Sequence, residues 1–259
     1  MTKEHFILKV AAVTDVGLIR ESNEDSYAID KKTGLFVLAD GLGGHSGGEV
    51  ASKLAVDTIT TFFKSLPKEA KESNITKTIR NAVQEAHENI IKESVANPIL
   101  AGMGSTLVLA LIRGRNIYVA NVGDSRAYLY HNNNLRLLSY DHSVVSELIK
   151  QGEITEDEAR RHPQRNLVTQ VIGINPLTDC YQEKLELCGG DIIMLCSDGL
   201  WDMISDKEIE GIIKNEEEPK NLCSDLINAA KDAGGRDNIT IIIIRVRSKL
   251  NRKNKNACS

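Results

Sequence analysis

The chain has no apolar run approaching the roughly 18 residues that a membrane span requires, and its opening Met1-Thr2-Lys3-Glu4-His5 lacks the hydrophobic stretch of a signal peptide. It has no Cys-x-x-Cys pair, and an odd total of 5 cysteines (Cys180, Cys188, Cys196, Cys223, Cys258) prevents complete internal pairing. These read as reduced thiols of a soluble cytoplasmic protein. No excess of positive charge is present either. Lys and Arg number 32 against 36 Asp and Glu, for a net charge of −4, which argues against a nucleic-acid partner. There is no G-x-x-x-x-G-K-[ST] loop, and Gly41-x-Gly43 is followed by Ser46 rather than completing G-x-G-x-x-G. No cysteine has an arginine six positions on, so a thiol-based phosphate loop is absent too.

What the chain does have is a set of acidic stations. They read Arg20-x-x-Asn23-Glu24-Asp25, Ala39-Asp40-Gly41-Leu42-Gly43-Gly44, Cys196-Ser197-Asp198-Gly199 and Gly235-Arg236-Asp237-Asn238. Each puts an aspartate where an apolar, strand-like run meets a turn containing glycine. One such aspartate is ordinarily a turn former. Several, delivered from different strand ends to one sheet edge, would bind a hard cation such as Mg2+ or Mn2+.

The pattern along the chain predicts how those strands are arranged. Strands are expected over Phe6–Val13 and Leu35–Ala39, and helices over Glu49–Lys64 and Asn74 to about Ser94. Ile75, Ile79, Ala82, Val83, Ala86, Ile90 and Ile91 recur there at helical spacing. Residues 105–131 read as a β-meander. Residues 141–175 are polar and rich in His, Arg and Gln, and read as an irregular flap with helical pieces. Strands return at Tyr181–Leu187 and Asp191–Cys196, helices at Asp206–Lys214 and Pro219–Lys231. A strand buried on both faces closes the series at Asn238–Val246. Clustered strands with paired helices predict an α+β fold, a four-layer α-β-β-α sandwich of antiparallel sheets. Residues 1–247 are expected to form a single domain and 248–259 a polar tail, with the chain a monomer.

Taken in order, Asp15-x-Gly17-x-x-Arg20-x-x-Asn23-Glu24-Asp25, Ala39-Asp40-Gly41-Leu42-Gly43-Gly44-His45, Gly104-Ser105-Thr106, Asn121-Val122-Gly123-Asp124-Ser125-Arg126, Asp141-His142-Ser143, Cys196-Ser197-Asp198-Gly199-Leu200 and Asp237-Asn238-Ile239-Thr240 resemble the metal-dependent Ser/Thr protein phosphatase family (PPM type, or type 2C). The likeness is greatest to its compact bacterial members. The resemblance implies two tightly bound Mn2+ or Mg2+ ions and a third, weaker one. It implies that Asp40 bridges two metals with the Gly41 carbonyl beside it, and that Asp198 and Asp237 complete one metal's shell. Glu24 and Asp25 would hold waters around the other, Asp124 would bind the third ion, and Arg20 would clamp the substrate phosphate. Substrates would be phosphoserine and phosphothreonine proteins, and the partner a cognate Ser/Thr kinase.

Chemistry supports that allocation. Two divalent ions about 4 Å apart neutralise a phosphomonoester dianion and acidify a bridging water, so the expected reaction is direct attack by a metal-bridging hydroxide. A guanidinium suits two phosphate oxygens at once. The chain departs from some relatives at Leu42, where they carry a histidine proposed as general acid. His162, His45, His142 and a metal-bound water are the substitutes, and the acid is left open among them. Two other readings compete. Gly44-His45-Ser46-Gly47-Gly48 matches the G-x-S-x-G serine elbow but lies too far from its strand and leaves the aspartates unexplained. A non-catalytic phosphoprotein-binding module of the same fold would be expected to have lost metal ligands, yet Asp25, Asp40, Asp198 and Asp237 are all present.

Overall fold

A computed structural model describes residues 6–44, 46–66, 74–159, 161–174, 176–177, 180–216 and 218–248. His45, Cys258 and the tail beyond Ser248 lie outside them. Two antiparallel sheets form the centre. One is built from β1 (Phe6–Asp15), β7 (Arg126–His131), β8 (Asn134–Leu137), β10 (Ile192–Cys196) and β11 (Ile239–Ser248), in the order β1-β11-β10-β7-β8. The other runs β2-β3-β5-β6-β9, from β2 (Asp25–Asp30), β3 (Leu35–Leu42), β5 (Leu107–Arg113), β6 (Asn116–Val122) and β9 (Tyr181–Glu186). A short β4 (Gly104–Ser105) adds to β3.

Strand periodicity explains the layering. Along β3, Leu35, Val37 and Ala39 point to one face, where α1 (Gly47–Ser65) and α2 (Ile75–Ala96) cover them through Ala51, Ala55, Ile59, Ile79 and Ile90. Phe36 and Leu38 point to the other face and meet Ile193, Leu195, Ile242 and Ile244 between the sheets. The isoleucine run of β11 divides the same way. Ile241 and Ile243 pack outward with Leu222 and Leu226 of α7 (Pro219–Asp232) and Ile209 and Ile213 of α6 (Asp206–Asn215). Three apolar interfaces therefore hold four layers together, the α-β-β-α sandwich that the sequence predicts.

The expected β-meander over 105–131 is corrected. β5 and β6 pair in one sheet, but β7 belongs to the other, and the chain crosses at Gly123-Asp124-Ser125. Gly123 makes the crossing with φ +93, where a Cβ would press on the Thr106 side chain. Strand β2 has no counterpart in the predicted elements. The polar stretch from 141 holds α3 (Val144–Gln151) and the single-turn α4 (Glu156–Ala159), tied back by isolated bridges Ser143↔Val168 and Ser105↔Ile172. Cys180, Cys196 and Cys223 are buried free thiols. Among the described residues no helix is long and apolar enough to cross a membrane.

Ile242 is fully enclosed between the sheets. Ile242→Ala is expected to cost about 3 kcal/mol of unfolding free energy, read from urea denaturation. A loss below about 1 kcal/mol would mean that the inter-sheet layer is not the principal core.

Candidate active site

Most of the acidic stations reach one edge of the sandwich because strand pairing delivers them there. Asp25 opens β2 and stands opposite Asp40 of β3 in the antiparallel register. In the facing sheet β10 ends at Cys196, so Ser197 and Asp198 emerge beside the start of β11, which Asp237 and Asn238 precede. Asp124 joins from the crossing between sheets. Glycines let the backbones close up. A Cβ on Gly199 would collide with the Asn238 carbonyl, and one on Gly41 with the Gly48 carbonyl at the start of α1.

Neutral donors hold this edge from behind. Ser197 Oγ donates to Asp25 Oδ2 at 2.7 Å, and the Thr240 amide donates to the same hydroxyl at 2.9 Å. Thr106 Oγ1 accepts the Asp40 amide at 3.0 Å and lies 2.7 Å from Ser125 Oγ. Asn238 binds three segments of the N-terminal loop. Its Nδ2 donates to the carbonyls of Val16 at 3.0 Å and Ser22 at 2.9 Å, and its Oδ1 accepts the Glu24 amide at 2.8 Å. Sequence reading quoted Ser197, Thr106 and Asn238 within the motifs but gave them no role. Their adjacency to the acidic residues is the available signal.

The electrostatics of the cluster are lopsided. Burial, then the charges of Asp25, Asp198, Asp124 and Asp237, push the Asp40 carboxyl well above the usual range. Burial does the same to Asp198, followed by Asp124, Asp237 and Asp25. Asp25 is raised to about 6 and Asp124 to about 7, each chiefly by burial. Glu24, beside Gly48, is also raised by burial. Asp25 Oδ1 and Asp198 Oδ1 are buried and lack any hydrogen-bond partner. Such atoms are costly unless something outside the chain binds them. All donors here are oxygens, the set that Mg2+ and Mn2+ prefer, so the residues present fit divalent ions.

The remaining predicted residues fall into place unevenly. Arg20 lies at the rim, its Nη2 donating to Asp237 Oδ2 at 2.7 Å, and this pairing raises its pKa. His142 Nδ1 lies 3.1 Å from the Gly123 nitrogen and 3.3 Å from the Gly123 carbonyl oxygen. His162 Nδ1 accepts the Gln164 amide at 3.2 Å within its own segment. In the flap, Arg165 pairs with Asp202 at 3.2 Å.

A family profile described as Protein phosphatase 2C matches residues 20–233. The chain is 35% identical over 234 residues to the "Serine/threonine phosphatase stp" of Listeria welshimeri, covering 89% of this chain and 93% of that one. Among solved structures, Serine/threonine phosphatase Stp1 from Staphylococcus aureus superposes with a TM-score of 0.85 at 34% identity, covering 92% of this chain and 95% of that one. The catalytic domain of the serine threonine protein phosphatase PstP, in complex with 2 manganese ions, superposes at 0.84 and 32%, covering 94% and 100%.

A pH dependence follows. Carboxyls with raised folded-state pKa values keep protons that the unfolded chain releases near pH 4. Their contribution is therefore fully present below pH 4 and is lost as pH rises through about 6 for Asp25 and about 7 for Asp124. The metal-free melting temperature should carry a component falling across that window. Asp25→Asn and Asp124→Asn should each flatten it. A profile identical in both variants and the parent would refute this electrostatic picture.

Proposed function

The chain belongs to the protein phosphatase 2C family, and on that premise we propose that its acidic edge holds divalent cations and hydrolyses phosphoserine and phosphothreonine in proteins. The observation that carries this reading is the pair of orphaned buried oxygens, Asp25 Oδ1 and Asp198 Oδ1, inside a group of carboxylates that raise one another's pKa values. A site built only for structure has no use for such atoms. A non-catalytic binding module would not need them either.

In this reading Asp40, the Gly41 carbonyl, Asp198 and Asp237 hold one ion, Asp40 with Glu24 and Asp25 the second, and Asp124 a third, weaker one. When bound, Mn2+ or Mg2+ would neutralise the phosphate dianion and acidify a bound water. The chain's own residues do the rest. Ser197, Thr106 and Asn238 fix the direction in which the carboxylates point. Arg20 exchanges its Asp237 partner for phosphate oxygens, which a guanidinium binds in pairs. Attack is by water, in line, without a phosphorylated side chain. Residues 1–247 act as one catalytic unit, and 141–175 form a flap beside the site. The enzyme works as a monomer in the cytoplasm, opposite a Ser/Thr kinase whose products are its substrates.

The test is hydrolysis of a phosphothreonine peptide. Activity should require Mn2+ or Mg2+, vanish with EDTA, and fall at least about a hundredfold in Asp198→Asn. Activity that survives both treatments would overturn the cation reading. Separately, Arg20→Ala should lower kcat/KM by about tenfold to a hundredfold, the worth of a charge-assisted contact. Unchanged kcat/KM would remove Arg20 from phosphate binding.

A further inference from the structure

Asp124 and Asp198 come from different elements of the same sheet system, one on the crossing between sheets and the other opening the single-turn helix α5 (Asp198–Trp201). Among the like charges around Asp198, that of Asp124 weighs most. No direct bond joins these two acidic groups. What joins their supports is the chain's single tryptophan. Trp201 ends the turn that Asp198 begins, and its indole Nε1 donates to the main-chain carbonyl of Asp124 at 3.0 Å.

The ring is also gripped from its face. The Arg126 guanidinium, two residues beyond Asp124, lies 3.7 Å from the Trp201 ring centroid. That guanidinium is hydrogen-bonded at each of its three nitrogens. Its Nε donates to both Asp141 oxygens at 3.1 and 3.0 Å, Nη2 to Asp141 Oδ2 at 2.6 Å, and Nη1 to the Tyr128 hydroxyl at 2.9 Å. Tyr128 in turn donates to Asp206 Oδ1 in the first turn of α6 at 3.1 Å. Burying an ion pair such as Arg126–Asp141 adds little net stability compared with apolar packing. Its value here lies in geometry, since a fixed planar cation makes a rigid seat for an aromatic face.

We propose that Arg126 and Trp201 are positioning residues, a clamp that sets the separation of Asp124 from Asp198 and thereby the affinity of the weakest of the divalent-ion sites. The inference rests on the reading of Asp124 as a ligand of that third ion. The indole holds α5 against the carbonyl of Asp124, and the guanidinium holds the indole. Either loss lets the crossing turn that carries Asp124 drift from α5, while Asp198 stays placed by its neighbours, Ser197 donating to Asp25 and Gly199 packed on the Asn238 carbonyl. Asp25, Asp40, Asp198 and Asp237, which hold the two tighter ions, therefore keep their places when the clamp is lost.

Bound ions can be counted without turnover by electron paramagnetic resonance of free Mn2+ in a titration of the intact protein. Trp201→Phe keeps the ring and removes one donor. It should weaken the loosest Mn2+ site roughly fivefold, the equilibrium equivalent of one neutral hydrogen bond, and leave the tighter ions unchanged. Arg126→Lys keeps the charge and loses the planar seat, and should act in the same direction. Asp124→Asn is the reference and should abolish the loosest site. If Asp124→Asn does so but Trp201→Phe and Arg126→Lys bind Mn2+ like the parent, the clamp is overturned. Equal weakening of every site in those two variants would also overturn it, because that is a merely structural role. If Asp124→Asn keeps the loosest site, the ligand reading beneath the clamp fails and the inference falls with it.

Discussion

Repulsion among carboxylates is the constraint around which this structure is arranged. Asp25, Asp40, Asp124, Asp198 and Asp237 act on one another at a single sheet edge, and at that range in a poorly solvated place like charges cost several kcal/mol if left uncompensated. Lysines and arginines could have cancelled them, yet among the described residues the cation paired with the cluster is Arg20, on Asp237 at the rim. The groups that hold the cluster in place are hydroxyls and amides, Ser197, Thr106, Asn238 and the Thr240 N–H. Such donors aim an oxygen without neutralising it, so the cluster keeps both its direction and its need for a cation. The cations that do approach stand at the periphery, Arg20 at the open rim and Arg126 behind, spent on Asp141.

Bringing like charges together also requires the backbones that carry them to approach more closely than side chains allow. Gly199 faces the Asn238 carbonyl, and Gly41 faces that of Gly48, with no room for a methyl group at either place. The second contact has an electrostatic consequence as well. It draws the start of α1 against Glu24, where the partial positive charge of a helix N-terminus favours a carboxylate. The glycines of the motifs are thus packing devices at this edge, and the phosphate-cradling loops that glycine clusters often build are a different use of the residue.

How much of this could be read beforehand depended on whether the cause was local. The isoleucines of β11 and the helical spacing of α2 declare themselves because burial selects side chains at fixed intervals, and those elements stand where periodicity put them. β2 does not declare itself. Asp25-Ser26-Tyr27-Ala28-Ile29-Asp30 carries few apolar residues, and its strand conformation comes from pairing with Leu35–Asp40. The crossing at Gly123 was hidden for a related reason, since a hairpin and a change of sheet present the same turn residues. Asn238 illustrates the distant limit. Its partners Val16, Ser22 and Glu24 lie more than two hundred positions away, and nothing in its neighbours in sequence names them. The aspartates themselves were legible because a motif ties each to a strand end. The bonds that aim them were not.

The sandwich and its charged edge are best understood as one arrangement. A group of buried like charges is tolerable only if the strands bearing it cannot separate, and here pairing is continuous up to the site. Asp25 pairs with Asp40 in one sheet and Asp15 with Ile239 in the other. Behind those last pairs the central strands β3, β10 and β11 are apolar on both faces, so three layers of core resist the force that the carboxylates exert at their tips. A cation relieves that force locally, while the core bears it in the meantime. Strands buried on only one face would give the edge freedom to open, and opening would relax the repulsion that makes the site bind. Burial on both faces is therefore as much a condition of the chemistry as the aspartates are.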